Sequence, residues 1–293
     1  MRRSAFHIWM CSVILALVAV PAWLTAQPAE APMIMICDIT VKPSMAGEFR
    51  AGMKAMAEFY AKHKAVYGWF AQMTEDSHCL LLSPISDYSD VGKLLEEDAA
   101  LMAKDKAGFA AWSEKLAATY ESFTTSIVSY KPELSLLPEK PRPGEGNTFV
   151  IYDIWSIIPG REQEFEALAK EIAALAKAKG TVDAWACLAG ELGCEQPVYF
   201  YCAVDKGPAE FWTHNAEMWA AMGPDAARIL NKITKLLRER GTRTARVEAE
   251  ILARNITVRG EVIGNITASG RAVIETTGRL EGDLAAAMIS VED

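Results

Sequence analysis

Ile36-Cys37-Asp38-Ile39, followed by Pro43 and Glu48-Phe49, recurs as Ile151-Tyr152-Asp153-Ile154, followed by Pro159 and Glu164-Phe165. The two Asp residues lie 115 positions apart and the two Phe residues 116. Trp69 and Trp185 are also 116 positions apart, so the correspondence continues beyond the first predicted helix. A solenoid repeats every ~20 to 50 residues. The longer spacing here predicts two copies of one small domain in a single chain.

The first 26 residues have the composition of an export signal. Arg2 and Arg3 form a short basic start, residues 8–20 are almost wholly apolar, and Leu24-Thr25-Ala26 offers a small-residue cleavage site. The apolar run is short for a membrane span. We therefore expect a signal peptide at 1–26, with an uncleaved membrane anchor as the alternative. Cleavage predicts a periplasmic or secreted protein that has no stable membrane span.

The composition excludes some classes of partner and site. The chain has 293 residues, of which 51% are hydrophobic, so about two domains can each bury a core. Loss of Arg2 and Arg3 would change the net charge from −8 to −10, and such an acidic chain repels phosphate backbones. We therefore expect no nucleic-acid partner. No cysteine or histidine cluster has metal-ligand spacing, so no metal site is expected.

Two cysteines fall on strands that we predict to be neighbours. Export would permit a disulfide between Cys37 and Cys79. The other interpretation is that both are small buried hydrophobic side chains, as cysteines on apolar strands usually are. The second interpretation is favoured.

Both copies have the same predicted order of elements. The first copy has strands at 33–41, 67–73, 79–83 and 124–130, with helices after Pro43 and over about 88–120. The second has strands at 148–156, 183–189, 198–203 and about 242–249. Its first helix carries an apolar stripe, and its second, over about 208–240, is broken near Gly223-Pro224. The stripe comprises Phe165, Leu168, Ile172 and Leu175. The order β-α-β-β-α-β is the ferredoxin-like split motif.

The second copy carries a family resemblance. Its passage from Ile154 through Pro159-Gly160 to Glu164-Phe165 resembles the dimeric α+β barrel superfamily, most closely its antibiotic-biosynthesis-monooxygenase-like domains. The resemblance covers about residues 33–137 and 147–250. It implies an α+β fold in which two ferredoxin-like repeats form an intramolecular dimeric α+β barrel. We therefore expect a first repeat at 33–137, a linker rich in proline and glycine at 138–147, and a second repeat at 148–250.

The C-terminal tail, 251–293, follows another pattern. Val262-Ile263-Gly264-Asn265-Ile266-Thr267-Ala268 returns 18 residues later as Leu280-Glu281-Gly282-Asp283-Leu284-Ala285-Ala286. Short strands with glycine turns at this period predict the rungs of a β-helix. An earlier copy at 247–253 would overlap the last strand of the second repeat, so the boundary stays open.

The tail resembles the bactofilin family of polymer-forming cytoskeletal proteins, which implies self-association through 251–293. A two-rung β-helix leaves unpaired strand edges. The tail therefore stacks on another copy, lies on the barrel, or is a truncated remnant.

The candidate site lies in the second copy. Phe211-Trp212-Thr213-His214-Asn215 stands early in its second helix, where the first copy has Lys93-Leu94-Leu95-Glu96. One interpretation places His214 and Trp212 at the rim of a barrel pocket, with His214 as base or ligand and Trp212 as a stacking wall. Asn215, Trp155 and Trp185 are then the predicted ligand-binding residues. The other interpretation is an amphipathic helix whose aromatic side chains only pack the core.

Other histidines and two aspartates are weaker candidates. His63 and His78 are expected to be solvated. Asp38 and Asp153 recur on the first strand between apolar neighbours, where a carboxylate must be bonded, hydrated or paired. They either orient the turn between strand and helix or, for Asp153, belong to the site.

The resemblance also bears on cofactors. Heme-degrading relatives have Asn on this strand, seven positions before the turn glycine, where this chain has Asp153. They also have a heme-ligating histidine about ten residues beyond the position of His214, where this chain has none. We therefore expect no cofactor.

Three functions follow. The first is an exported tandem α+β barrel protein that binds a small apolar or aromatic ligand or serves as an interaction module. The second is a cofactor-independent monooxygenase-like enzyme with His214, Trp212 and Asp153 as catalytic residues. The third is a scaffold that assembles through its bactofilin-like tail.

Overall fold

The computed structural model describes most of the chain beyond residue 32. The described residues are 33–137 and 149–246, and in the tail 251–253, 256–258, 261–263, 266–274, 279–281 and 284–291. The predicted signal peptide and linker lie outside them. Within the described residues, no helix is both long enough and apolar enough to cross a membrane.

The described elements form two halves and a tail. The first half comprises β1 (Met33–Val41), α1 (Ala46–Lys62), β2 (Trp69–Thr74), β3 (His78–Ile85), α2 (Ser89–Lys104), α3 (Lys106–Ala117) and β4 (Tyr120–Tyr130). The second half comprises β5 (Phe149–Ile157), α4 (Glu162–Ala178), β6 (Ala186–Leu192), β7 (Val198–Asp205), α5 (Pro208–Ile233) and β8 (Leu237–Arg246). The tail comprises β9 (Ile251–Ala253), β10 (Ile256–Val258), β11 (Glu261–Ile263), β12 (Ile266–Ile274), β13 (Arg279–Glu281) and β14 (Leu284–Val291).

Eight antiparallel strands close into a barrel. Their order is β2-β3-β1-β4-β6-β7-β5-β8, and β8 pairs with β2 again. The two halves meet at two seams. The β4–β6 seam runs from Ile127 to Tyr130, whereas the β2–β8 seam joins Met73 to Arg246 and Thr74 to Ala245. The predicted α+β barrel of two ferredoxin-like repeats with a β-helix-like tail is confirmed.

Three apolar cores follow from the alternation of side chains along each strand. One fills the barrel, where Leu80, Val128 and Leu188 from different strands meet. The other two lie between the outer face of the sheet and the helices of each half. Phe49 of α1 and Phe165 of α4 are wholly buried in these outer layers, as the spacing of their apolar stripes predicts.

The register of the repeat differs from the predicted one at the aspartates. β1 and β5 begin at 33 and 149 and end at 41 and 157, an offset of 116 at both ends. Asp38 and Asp153 lie only 115 apart, and a shift of one residue moves a side chain to the other face. Asp38 therefore shares the barrel face with Ile36, whereas Asp153 shares the helix-facing side with Trp155. The two aspartates are not equivalent.

Two element boundaries also differ from prediction. The second helix of the first half is two helices, because Asp105 interrupts it and caps α3 by accepting from the N–H of Gly108. In the second half, α5 kinks at Gly223 as predicted but ends at Ile233, and Leu237–Arg246 is strand. The first residues of β8 have a high helix propensity, but the pairing of β8 with β5 overrides that preference.

The two candidate cysteines are not joined by a disulfide. Cys79 is fully buried and Cys37 partly buried in the outer core of the first half. The interpretation as small hydrophobic side chains therefore holds for both.

The tail continues the barrel sheet. β9 pairs antiparallel with β2 through Phe70 and Trp69, and its other edge pairs in parallel with β12. β9 therefore joins the barrel sheet at one edge and begins the stack at its other edge. The predicted 18-residue register is confirmed, since Val262 pairs with Leu280 and Ile266 with Leu284. Of the three expected arrangements, the tail lies on the barrel.

Candidate functional site

A cleft of about 570 Å³ lies in the second half. Its walls are the helix-facing side of β5, β7 and β8, the helices α4 and α5, and residues 182–185. This volume is within the range of small-molecule sites. The cleft is therefore not inside the barrel, whose interior is packed with side chains, and the expected barrel pocket is corrected to this outer layer.

The cleft brings together all six residues that the sequence singled out. They are Asp153, Trp155, Trp185, Trp212, His214 and Asn215. Trp212 lies at the rim with 58% of its surface exposed, whereas Trp155 is buried. Their proximity is structural fact, and their roles in binding or catalysis stay predictions.

A His–Asp pair stands at one end of the cleft. β7 ends at Asp205, and the first two turns of α5 bring His214 back over it, so that Nδ1 of His214 lies 2.7 Å from Oδ2 of Asp205. The other oxygen of Asp205 accepts from the backbone N–H of Lys206 at 2.8 Å. When Nδ1–H of a neutral imidazole donates to the carboxylate, Nε2 is left as a proton acceptor.

An Arg–Asp pair stands farther along the sheet. Arg240 of β8 donates through Nε to Oδ1 of Asp153 at 2.9 Å and through a terminal nitrogen to Oδ2. Hydrogen bonding to Asp153 raises the pKa of Arg240. The guanidinium also lies 5.2 Å from the ring centre of Trp155, within the range of a cation–π contact. Both oxygens of Asp153 are thus engaged by one partner, and none of these bonds is to the predicted strand–helix turn.

Aromatic side chains line the space between the two pairs. Asp153 is opposite Tyr201 in the β5–β7 ladder, and Asp205 is four residues farther along β7, about 13 Å at the strand rise. The rings of Tyr201 and Trp155 are 4.9 Å apart. The buried indole N–H of Trp155 has no hydrogen-bond partner among the described residues. The cleft is therefore long, aromatic in the middle and polar at each end.

Burial keeps two further groups neutral. Burial raises the pKa of the Tyr201 hydroxyl well above its ordinary value, and it raises the pKa of the Cys187 thiol beneath it to about 12. A thiol with such a pKa is not nucleophilic at neutral pH. Neither group therefore supplies an anionic nucleophile at neutral pH.

Sequence reasoning missed Asp205, Arg240 and Tyr201. Asp205 lies nine residues before His214 at the end of a strand, and a strand end joined to a helix start could have indicated the pair. Arg240 was missed because it was assigned to a helix, and Tyr201 because a buried strand tyrosine gives no distinctive signal.

The other two described histidines are also paired, contrary to the expectation that they are solvated. His63 keeps 8% of its side chain exposed and lies 3.0 Å from Asp105. His78 lies 2.6 Å from Asp38, which also accepts from Arg243 of the second half at 2.6 Å. Asp38 therefore links the two halves at the β2–β8 seam.

Comparisons with known proteins agree with this architecture. The family described as Bactofilin, polymer-forming cytoskeletal, matches residues 241–293. A candidate monooxygenase from Fusobacterium nucleatum superposes with a TM-score of 0.51 at 12% identity, over 76% of this chain and 96% of that one. A candidate monooxygenase from Lactobacillus acidophilus gives 0.47 at 9% identity, over 76% and 97%. An anthrone oxidase-like protein gives 0.49 at 12%, over 76% and 94%. At 12% identity the likeness to the Fusobacterium nucleatum protein shows the fold alone.

A comparison with curated proteins found no match.

Proposed function

We propose that the chain is an exported tandem pair of antibiotic-biosynthesis-monooxygenase-like domains, at 33–137 and 148–250, whose second domain binds a small aromatic molecule. The observation that carries the binding function is the cleft of about 570 Å³ with an aromatic middle and polar ends. Flat aromatic walls bury an aromatic ligand, and a few fixed polar groups orient it.

The His214 end defines how the ligand is held. Asp205 fixes the orientation of the imidazole, so that a ligand hydroxyl can donate to Nε2 of His214. The Arg240 end is neutralised by Asp153 and therefore contributes a flat surface over Trp155 more than a net charge. A planar molecule with one hydroxyl group meets both requirements.

Binding is tested with 2-naphthol, a planar aromatic alcohol, by quenching of tryptophan fluorescence. We expect saturable quenching in the full chain, because Trp155, Trp185 and Trp212 line the cleft. Ala203→Phe, which fills the cleft from β7, should abolish it. His214→Leu should weaken binding by about 2- to 12-fold, the equivalent of one hydrogen bond.

The matched control is Thr213→Val, on the same helix but outside the cleft lining, where the affinity should stay unchanged. Quenching that never saturates, or that survives Ala203→Phe, would contradict binding in the cleft. Equal losses in the His214 and Thr213 variants would contradict the role of the imidazole.

The second candidate function is a cofactor-independent oxygenase, and the 2.7 Å contact between His214 and Asp205 favours it. His214 would accept a proton from an acidic C–H of the substrate, with Trp212 as a wall of the site. A methylene would react with O₂ to give a carbonyl and water, with the substrate supplying the electrons. Asp153, held by Arg240, would position rather than accept protons.

The oxygenase is tested with anthrone, whose methylene becomes the second carbonyl of anthraquinone. Oxygen uptake and anthraquinone absorbance should rise together, and His214→Gln should lower both far more than Thr213→Val does. If anthrone is oxidised no faster with the protein than without it, the oxygenase proposal is wrong, but the ligand-binding proposal is not affected.

The tail supports a third element of the proposal, which is self-association through 251–293. The family match at 241–293 and the parallel stacking of β9, β12 and β14 both favour it.

The proposal of export rests on the sequence of residues 1–26. Export is tested by mass spectrometry of the N-terminal peptide of the protein in a periplasmic extract, which should begin at residue 27. A protein found in the membrane fraction that still contains residues 1–26 would indicate an uncleaved anchor instead.

A further inference from the structure

The first rung of the tail is attached to the barrel. This rung consists of β9, β10 and β11, which pair in parallel with β12 and β13 of the second rung on three faces. On one of those faces the outer edge of β9 is occupied, because Trp69 and Phe70 of β2 pair with Leu252 and Ile251. The barrel therefore stands where a preceding rung would stand.

Packing holds the tail in that position. Ala268 and Ala272 of β12 are buried in the core that fills the barrel, and Ile274 and Leu284 pack against it. Helix α1 contacts both β9 and β12. A second copy could stack on the first rung only by displacing β2 and breaking this core, so that end of the stack is blocked.

The opposite end of the stack differs on the face that β9 shares with β12 and β14, because β2 covers β9 there but no described strand covers β14. β14 pairs with β12 along one edge, and no strand of the described part of the chain pairs with its other edge. Met288, Ile289 and Val291 are 61%, 51% and 66% exposed. No charged residue occurs from Leu284 to Val291. Soluble proteins usually protect an edge strand with charges, prolines or bulges, so an uncharged apolar edge is suited to a partner strand.

We propose that the occupant of this edge is β14 of a second copy, and that association stops at a two-fold symmetric dimer. The inference rests on the proposed self-association through the tail. One open end per chain permits one contact per chain, and a contact of a surface with itself is closed by a two-fold axis. Two β14 strands related by that axis run antiparallel. Absence of charge also matters, because each chain is acidic overall and the uncharged edge brings no like charges together.

The dimer is tested by light scattering of the full chain after size exclusion, over a hundredfold range of concentration. We expect a mass of twice that of one chain, which is 32.1 kDa before any cleavage of residues 1–26, and no further growth at high concentration. Ile289→Lys and, separately, Val291→Lys should convert the dimer to monomer, because a lysine on an edge strand opposes the pairing of that edge with another strand. Both side chains are exposed in the single chain, so its fold should tolerate the change.

Leu95→Lys is the matched control, since Leu95 is 65% exposed on α2 and far from the tail in sequence. It should stay dimeric. A monomer at every concentration would overturn both the dimer and the proposed self-association. Species that grow with concentration would overturn the closed dimer and leave self-association standing. A dimer that survives both β14 lysines, or that Leu95→Lys also dissociates, would overturn the assignment to β14.

Discussion

One buried hydrogen bond joins the two halves inside the barrel and can be measured by itself. The hydroxyl of Tyr152 in β5 donates to the side-chain carbonyl of Gln72 in β2. Gln72 is fully buried and Tyr152 keeps 7% of its surface exposed. The amide nitrogen of Gln72 has no partner among the described residues. Burial also raises the pKa of Tyr152 well above its ordinary value, so the hydroxyl is a neutral donor.

The expected energies follow from counting unsatisfied groups. Tyr152→Phe leaves the carbonyl of Gln72 buried without its donor, which should lower the free energy of unfolding by about 1–3 kcal/mol. Gln72→Leu leaves the hydroxyl of Tyr152 without its acceptor, but it also removes the unpaired amide nitrogen, so the loss should be smaller. The double variant has no polar group left there and should lie within about 1 kcal/mol of the parent. If the double variant is as stable as the parent, the coupling energy of the cycle is at least about 1 kcal/mol.

Urea denaturation followed by circular dichroism gives the four free energies, provided that the slope with urea is the same in all variants. The decisive comparison is between Tyr152→Phe alone and the double variant, because adding Gln72→Leu should restore stability. Additive losses would refute the reasoning, since they would mean that the two side chains do not compensate each other inside the barrel.

Two further predictions concern local backbone and charge. Gly160 and Gly193 both have a positive φ, of 84° and 75°. A Cβ added at Gly160 would meet no atom within 4 Å, whereas a Cβ added at Gly193 would overlap the backbone of β4. Gly160→Ala should therefore cost about 1 kcal/mol of unfolding free energy and Gly193→Ala at least twice that, measured by urea denaturation; equal losses would contradict the clash. The backbone N–H of Gly108, with a neighbouring lysine and histidine, lowers the pKa of Asp105 to about 2. Because its folded pKa is depressed, its stabilisation is complete above about pH 4 and is lost as the pH falls toward 2. The difference in melting temperature between the parent and Asp105→Asn should shrink over that interval, and a difference that stays constant would contradict the assignment.

The fold was predictable wherever periodicity and sequence spacing act together. The stripe from Phe165 through Ile172 faces the sheet because helical spacing places it there, and its counterpart from Phe49 does the same. Faces of strands were less predictable. The matched Asp38 and Asp153 are one residue out of register, and only the strand pairing shows that they lie on opposite faces.

The site was predictable as a set of residues but not as a set of partners. A Trp-His-Asn cluster in one copy only was enough to place His214 in the second half. Its partner Asp205 and the Asp153–Arg240 pair depend on which strand lies beside which, and Arg240 was expected in a helix. Which strands pair in a sheet depends on residues far apart in the chain, and local patterns in a single sequence do not predict it.

The same repeat also shows how the helices of the two halves pack differently. α1 and α4 begin at 46 and 162 and end at 62 and 178, so Gly52 corresponds to Leu168. In the first half a Cβ at Gly52 would lie 2.8 Å from a methyl group of Leu116, which means that α3 packs directly on the bare backbone of α1. In the second half Leu168 is partly buried against the outer core, so its side chain occupies the position that is bare backbone in α1. One glycine, which the duplication permits to differ between copies, thus allows a close contact of α1 with α3 that a leucine at the same position of α4 would prevent.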